Sequence, residues 1–134
     1  MVSPLLPDSS FFIRQASAGV DPFQILARRS DEWEYLTCGI VVLEVTRGRS
    51  NPVIYRRFRE RFAVMLQVAI GATIWERALE LAWTLDRRGI VLPLPDVIIA
   101  ACALQTGATV LSHDRHFLAV PGLQVIERLD VDVT

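Results

Sequence analysis

The chain has no lysine. All 14 of its basic residues are arginine, which excludes chemistry that needs a side-chain amine: a Schiff base, the lysine of a phosphate-binding loop, or the lysine that accompanies aspartyl-phosphate formation. Cysteine is scarce too. Cys38 and Cys102 lie far apart in sequence, each in apolar surroundings and with no second cysteine or histidine at metal-ligand spacing. A zinc site or a disulfide framework is therefore disfavoured, and buried reduced thiols are expected. No stretch approaches the roughly 18 uninterrupted apolar residues of a membrane span, and the start lacks a basic segment followed by an apolar run and a small-residue cleavage site. A cytoplasmic protein with no membrane partner is expected. An excess of charge is also missing: the net value is −1, which neither requires nor excludes a nucleic-acid partner.

What is present is enough apolar material for one core. With 134 residues, 51% of them hydrophobic, and no repeat or linker, the chain reads as one domain over 1–134. An apolar segment ending at Asp8 reads as a strand, followed by a helix from Ser9 or Ser10 to about Ser17. Asp21-Pro22 and Asn51-Pro52 each pair a capping residue with proline at the first helical position, starting helices to about Arg29 and Phe62. Between them, Glu34–Cys38 reads as a strand and Val41–Arg47 as a helix; Met65–Val68 reads as a third strand. Thr73 to Glu76 fits a capping box for a helix over 74–88. Pro95-Asp96 is expected to cap an apolar helix that stops at Gly107. Val110–Ser112 and Gln124–Arg128 complete the strands. Strands alternating with helices predict an α/β fold whose parallel sheet carries helices on both faces.

Four acids stand out because each is embedded among core-forming residues: Asp8, Glu44, Asp96 and Asp114. Carboxylates in such settings need a counter-ion or hydrogen bonds, because desolvating a charge is expensive. A shared divalent cation would meet that need for all four. Three of them fall where strands end and helices begin, the edge at which open α/β sheets collect ligands. For Asp8 and Asp96 the competing explanation is an ordinary helix cap, which needs only backbone N–H groups. Glu44, inside a helix beside Val41, Val42, Leu43 and Val45, has no such explanation.

The run PDVIIAACALQTGATVLSHDRHF followed by VPGLQVI, together with DSSFFI and IVVLEVTRG, resembles the PIN-domain ribonucleases, particularly the VapC-like toxins of bacterial toxin–antitoxin pairs. The resemblance covers essentially the whole chain. It implies about five parallel strands with the four acids converging on Mg²⁺ or Mn²⁺, RNA as substrate, an antitoxin partner and a homodimer. Asp8, Asp96 and Asp114 would bind the metal directly, and Glu44 would be a ligand or would orient the attacking water. Ser9, Ser112 and His116 stand as supporting residues. The chain departs from the pattern at His116, where many relatives carry an acid. Pro7 is a second departure, because it forfeits a ladder hydrogen bond and can end the strand before Asp8. The Pro93 and Pro95 pair, which stiffens the approach to Asp96, is a third. Hard carboxylate oxygens suit either cation. A receiver-like or haloacid-dehalogenase-like fold would want a lysine. The remaining alternative is a catalytically silent PIN-like module that binds RNA or protein, with the acids kept as caps.

Three other features have more than one reading. His113 and His116 flank Asp114 and could support nucleophilic catalysis or merely point a ring toward solvent, with contact of His116 to a substrate phosphate as a middle reading. Six arginines against Glu60 alone between Arg47 and Arg61, with Arg47, Arg49 and Arg56 as the RNA-contact candidates, could bind phosphates or form a solvated helix face. Trp75, Leu79 and Trp83 recur at i, i+4 and i+8 on a helix whose apolar arc, roughly 200°, exceeds the ~100° stripe of a one-sided surface helix. They mark deeper burial or, the preferred reading, a subunit or partner interface.

Overall fold

In a computed structural model that describes residues 1–129, strands β1 (Ser3–Pro7), β2 (Trp33–Cys38), β3 (Leu66–Val68), β4 (Thr109–Leu111) and β5 (Val125–Ile126) form a parallel sheet in the order β3-β2-β1-β4-β5. Residues 130–134 of the expected domain lie outside the described residues. Between the strands run α1 (Ser9–Ser17), α2 (Pro22–Ala27), α3 (Gly39–Arg47), α4 (Pro52–Ala63), α5 (Ala72–Arg87) and α6 (Leu94–Thr106). The first two crossovers step outward from β1 to β3, and the third returns past β1 to β4. With right-handed connections, α1 to α4 therefore cover one face and α5 and α6 the other. Within the layers α1 contacts α2 and α3, α3 contacts α4, and α5 contacts α6; α3 also contacts α6. This is the helix-flanked parallel sheet expected from the alternation of elements.

Each face has its own core. On the α1–α4 side, Phe12, Phe23, Phe58 and Phe62 meet with ring centroids 4.9–5.4 Å apart. Loss of one ring from such a junction costs about 3–5 kcal/mol. On the other side α6 is apolar nearly all round. Ile99, Ala100, Ala101, Cys102 and Ala103 are fully buried, and the alanines let the helix lie close to its neighbours. Gly107, at φ 73°, ends α6 in the left-handed region, and Ala108 N donates back to Ala103 O at 2.9 Å, a helix stop that suits glycine.

Several boundaries differ from the sequence expectation. The α5 helix starts at Ala72 with Gly71 as its cap residue, so Thr73 lies inside the first turn and forms no capping box. Likewise α6 starts at Leu94, because prolines are tolerated in a first helical turn where N–H groups lack partners anyway. Asp96 is thus the third helical residue, and its carboxylate pairs with His116. The last strand is only Val125–Ile126, since its partner β4 offers three residues, of which Val110 and Leu111 pair with it. Cys38 and Cys102 are also closer than their separation suggested. Both are buried free thiols, and a hydrogen bond from Cys102, with help from the Val41 and Ile40 backbone N–H groups, holds the Cys38 thiol down at about 7 against the effects of burial and Glu44.

The α5 helix buries Ile74, Ala78 and Leu85 but leaves Trp75 48%, Leu79 66% and Trp83 63% exposed. Deeper burial is thus not what the wide apolar arc reports. Arg87 lies over the Trp83 ring at 4.9 Å, an arrangement worth about 0.5–1 kcal/mol at an exposed site.

Candidate metal centre

The direction of the crossovers reverses between β1 and β4, so a crevice opens at their carboxyl ends. Asp8 follows β1 there, and Asp114 follows β4. Pro7 is the last residue of β1 and still pairs with Leu111, and Asp8 N donates to Leu111 O at 2.9 Å. Asp8 is therefore held to the neighbouring strand by its own backbone.

Its carboxylate does not cap α1, although the residue occupies the cap position. Instead, Asp8 Oδ2 accepts hydrogen bonds from Ser10 Oγ at 2.7 Å and Ser112 Oγ at 2.9 Å. The Ser9 hydroxyl lies 3.3 Å from Asp8 Oδ1 and donates at 2.8 Å to Glu44 Oε1, linking the two acids across α1 and α3. Ser112 serves both sides of the crevice: its hydroxyl also accepts from Asp114 N at 2.9 Å. A hydroxyl committed in this way is an orienting group rather than a nucleophile. The serines make a buried carboxylate tolerable, since hydrogen bonds to the charged form offset its desolvation.

The second pair of acids is arranged around an imidazole. His116 Nδ1 lies 3.0 Å from Asp96 Oδ2 and 3.0 Å from Asp114 Oδ1. Asp114 Oδ1 also accepts from His116 N at 2.9 Å, capping the short 3-10 turn Arg115–Ala119. That turn is pinned by Phe117, which is fully buried, so the backbone that carries His116 is anchored in the core. Burial pushes the Asp96 carboxyl up to about 6; the charges of Asp8 and Asp114 add to the rise, and the hydrogen bond to His116 opposes it. That hydrogen bond in turn raises His116 above its ordinary value, with the charges of Asp114 and Asp96 adding and desolvation opposing.

One donor atom each from Asp96, Asp114 and His116 lies within 4.8 Å of the other two. Asp8 sits close enough for its charge to act on Asp96, and Glu44 joins through Ser9. The four acids expected from sequence thus gather at one edge, with Asp96, Asp114 and His116 forming the tight group and Glu44 the outer member. Carboxylate oxygens converging with one imidazole fit a divalent cation, and the raised Asp96 is the penalty such a cation would reverse. His116 is the residue whose part was not legible in sequence. Its spacing two after Asp114 was visible, but the partner that matters, Asp96, is 20 residues away.

Of the arginines, Arg47 ends α3, Arg49 follows it, and the rest lie along α4. Arg47 and Arg56 are exposed and Arg49 half-buried. Among the described residues none of the six between Arg47 and Arg61 is ion-paired. Arg49 lies over the Phe58 ring at 5.7 Å and, with Arg57 and Asp21, lines a cavity of about 260 Å³.

An open parallel sheet with a carboxylate cluster at its switch point defines a class of α/β domain suited to holding a cation. The sequence profile of the PIN domain matches residues 5–123, and the chain belongs to that family. Solved structures share the fold. VapBC2 from Rickettsia felis, bound to a DNA fragment from its promoter, has a chain 17% identical, with a TM-score of 0.78 over 92% of this chain and 97% of that one. VapBC-1 from nontypeable Haemophilus influenzae is 19% identical, with a TM-score of 0.76 over 92% and 96%. VapBC-5 from Mycobacterium tuberculosis, a member of the VapBC family of toxin–antitoxin systems, is 19% identical, with a TM-score of 0.67 over 94% and 99%. None of the curated proteins matches the chain.

Proposed function

We propose that this chain, as one nuclease domain over 1–134, is a divalent-metal-dependent endoribonuclease and the toxin of a toxin–antitoxin pair. The observation that carries the reading is that Asp8 and Asp96, the two acids a helix cap could have explained, engage serine hydroxyls and His116 respectively rather than the helix N–H groups and face the same crevice as Glu44 and Asp114. Asp8, Asp96 and Asp114 would hold the cation. Glu44, linked to Asp8 through Ser9, would complete the donor set or orient water. Ser9 and Ser112 keep the carboxylates in place. Bound Mg²⁺ or Mn²⁺ supplies acidified water for attack on a phosphodiester and offsets charge on the leaving oxygen. Arg47, Arg49 and Arg56, free of acidic partners, would take the flanking phosphates.

The same reading includes a homodimer through Trp75, Leu79 and Trp83, a cognate antitoxin over the crevice, as the VapBC neighbours suggest, and action in the cytoplasm. The second reading, a catalytically silent PIN module binding RNA or protein, would keep the acids without metal. Incubation with total RNA and Mg²⁺ or Mn²⁺, followed by mapping of cleavage ends, separates the two. Discrete metal-dependent ends support the nuclease, and intact RNA under both cations supports the silent module.

A further inference from the structure

The imidazole of His116 lies against both Asp96 and Asp114, and the turn that carries it is built into the fold. Phe117 anchors the turn in the core, the His116 N–H closes on Asp114 Oδ1 at 2.9 Å, and Nδ1 is 3.0 Å from an oxygen of each aspartate. That spacing serves a hydrogen bond. It is also the separation of adjacent corners of an octahedron whose bonds are about 2.1 Å long. The ring is half exposed, so packing alone does not require a histidine here.

Resting on the metal-dependent reading above, we propose that His116 is a nitrogen ligand, through Nδ1, of the cation held by Asp96 and Asp114, and that it biases the site toward Mn²⁺ and other first-row transition ions over Mg²⁺. The physical reason is ligand chemistry. Mg²⁺ takes oxygen donors almost exclusively and gives up its waters reluctantly, whereas imidazole suits the transition ions. One nitrogen in the set costs Mg²⁺ a donor it would use and gives Mn²⁺ one it accepts. The half-exposed position leaves the rest of the coordination to Asp8, water or a phosphate oxygen.

The test uses the full chain and Mn²⁺ alone, at about pH 8, where an ordinary histidine is neutral. Pulsed electron paramagnetic resonance of the bound Mn²⁺ should show coupling to a directly bound ¹⁴N. The coupling should persist in His113→Ala and vanish in His116→Asp, which replaces the nitrogen donor with oxygen. Equilibrium dialysis should show Mn²⁺ held more tightly than Mg²⁺ by the parent, with that preference falling at least about tenfold in His116→Asp. Mn²⁺ bound in an Asp96-dependent way without ¹⁴N coupling would overturn this inference and leave the carboxylate centre standing. Coupling that survives His116→Asp would overturn it too. If the parent binds no more Mn²⁺ than Asp96→Asn does, both this inference and the metal-dependent reading fail.

Discussion

Asp8 and Asp21 stand at the same place relative to a helix. Each is the residue before the first turn, in extended backbone: φ −71° and ψ 159° for Asp8, φ −76° and ψ 111° for Asp21. Asp21 accepts from Phe23 N at 2.9 Å, as a cap should. Asp8 leaves the helix N–H groups alone and collects three serine hydroxyls within 3.3 Å. What separates them is the surroundings. The α2 start lies near the surface, where a carboxylate is cheap to solvate and the helix end is its best partner. The α1 start lies at the sheet's switch point, where Ser112 and Glu44 arrive from β4 and α3. An aspartate before a helix is therefore not read from its position alone; the hydroxyls and carboxylates that converge on it decide the matter.

The contrast can be broken most severely by mutation. Asp8→Asn keeps the shape and removes the charge, so cleavage should fall on the order of a thousandfold, matching several kcal/mol of lost charge stabilisation. Asp21→Ala should leave cleavage intact and cost about 1 kcal/mol of stability. Equal losses of cleavage in both variants would erase the distinction.

The exposed tryptophan flank is a third kind of site, apolar and remote from the acids in chemistry. Burying Trp75, Leu79 and Trp83 from two subunits is worth several kcal/mol at about 25 cal/mol per Å², before association costs. Sedimentation should show a dimer, and Trp83→Arg should shift it toward monomer without unfolding the chain. A strictly monomeric parent at tens of micromolar would remove this interface.

Cation binding should raise stability by about 2.7 kcal/mol at a hundredfold excess over Kd. The melting temperature should therefore rise with Mn²⁺ or Mg²⁺ and not with NaCl of matched ionic strength. In Asp8→Asn the rise should shrink, and in Asp21→Ala it should persist.

The smallest effect is in pH. The folded value for Asp96, about 6, lies above its ordinary 3.8, so its contribution to stability is full below 3.8 and is lost as pH rises through about 6. His116 is also raised, from 6.5, so its contribution is full below 6.5 and fades at higher pH. Without metal, this pair should make the protein melt at a lower temperature near pH 8 than near pH 5, and Asp96→Asn should flatten that slope. An unchanged slope would mean that other groups set it.

Much of this was legible in the sequence, because it depends on local rules. Asp21-Pro22, Asn51-Pro52 and Gly107 mark helix ends through backbone geometry that neighbours in the chain determine. Pro7 is the last residue of β1, where a missing N–H forfeits only one ladder bond. Three of the four acids could be placed at one edge in advance because α/β topology sends strand ends there, and the PIN resemblance added Glu44, which lies inside α3. What escaped depends on contacts between distant residues. Asp96 was expected to stand just before its helix, but the tolerance for proline in the first turn starts α6 at Leu94 and puts Asp96 inside that turn. The bridge from His116 to Asp96, and the meeting of Cys38 with Cys102, arise from how α6 seats against its neighbours. The length of β5 followed from what β4 had left to pair.

The central claim is that the buried acids act through their charge on a bound cation rather than as caps. The most direct measurement pairs cleavage of RNA with thermal melting in Asp96→Asn, a change that keeps the size and hydrogen-bonding capacity of the side chain. The account predicts a protein that folds as well as the parent, or better in the absence of metal, with metal-dependent cleavage abolished. A well-folded Asp96→Asn protein that cuts RNA at the parent's rate would contradict it.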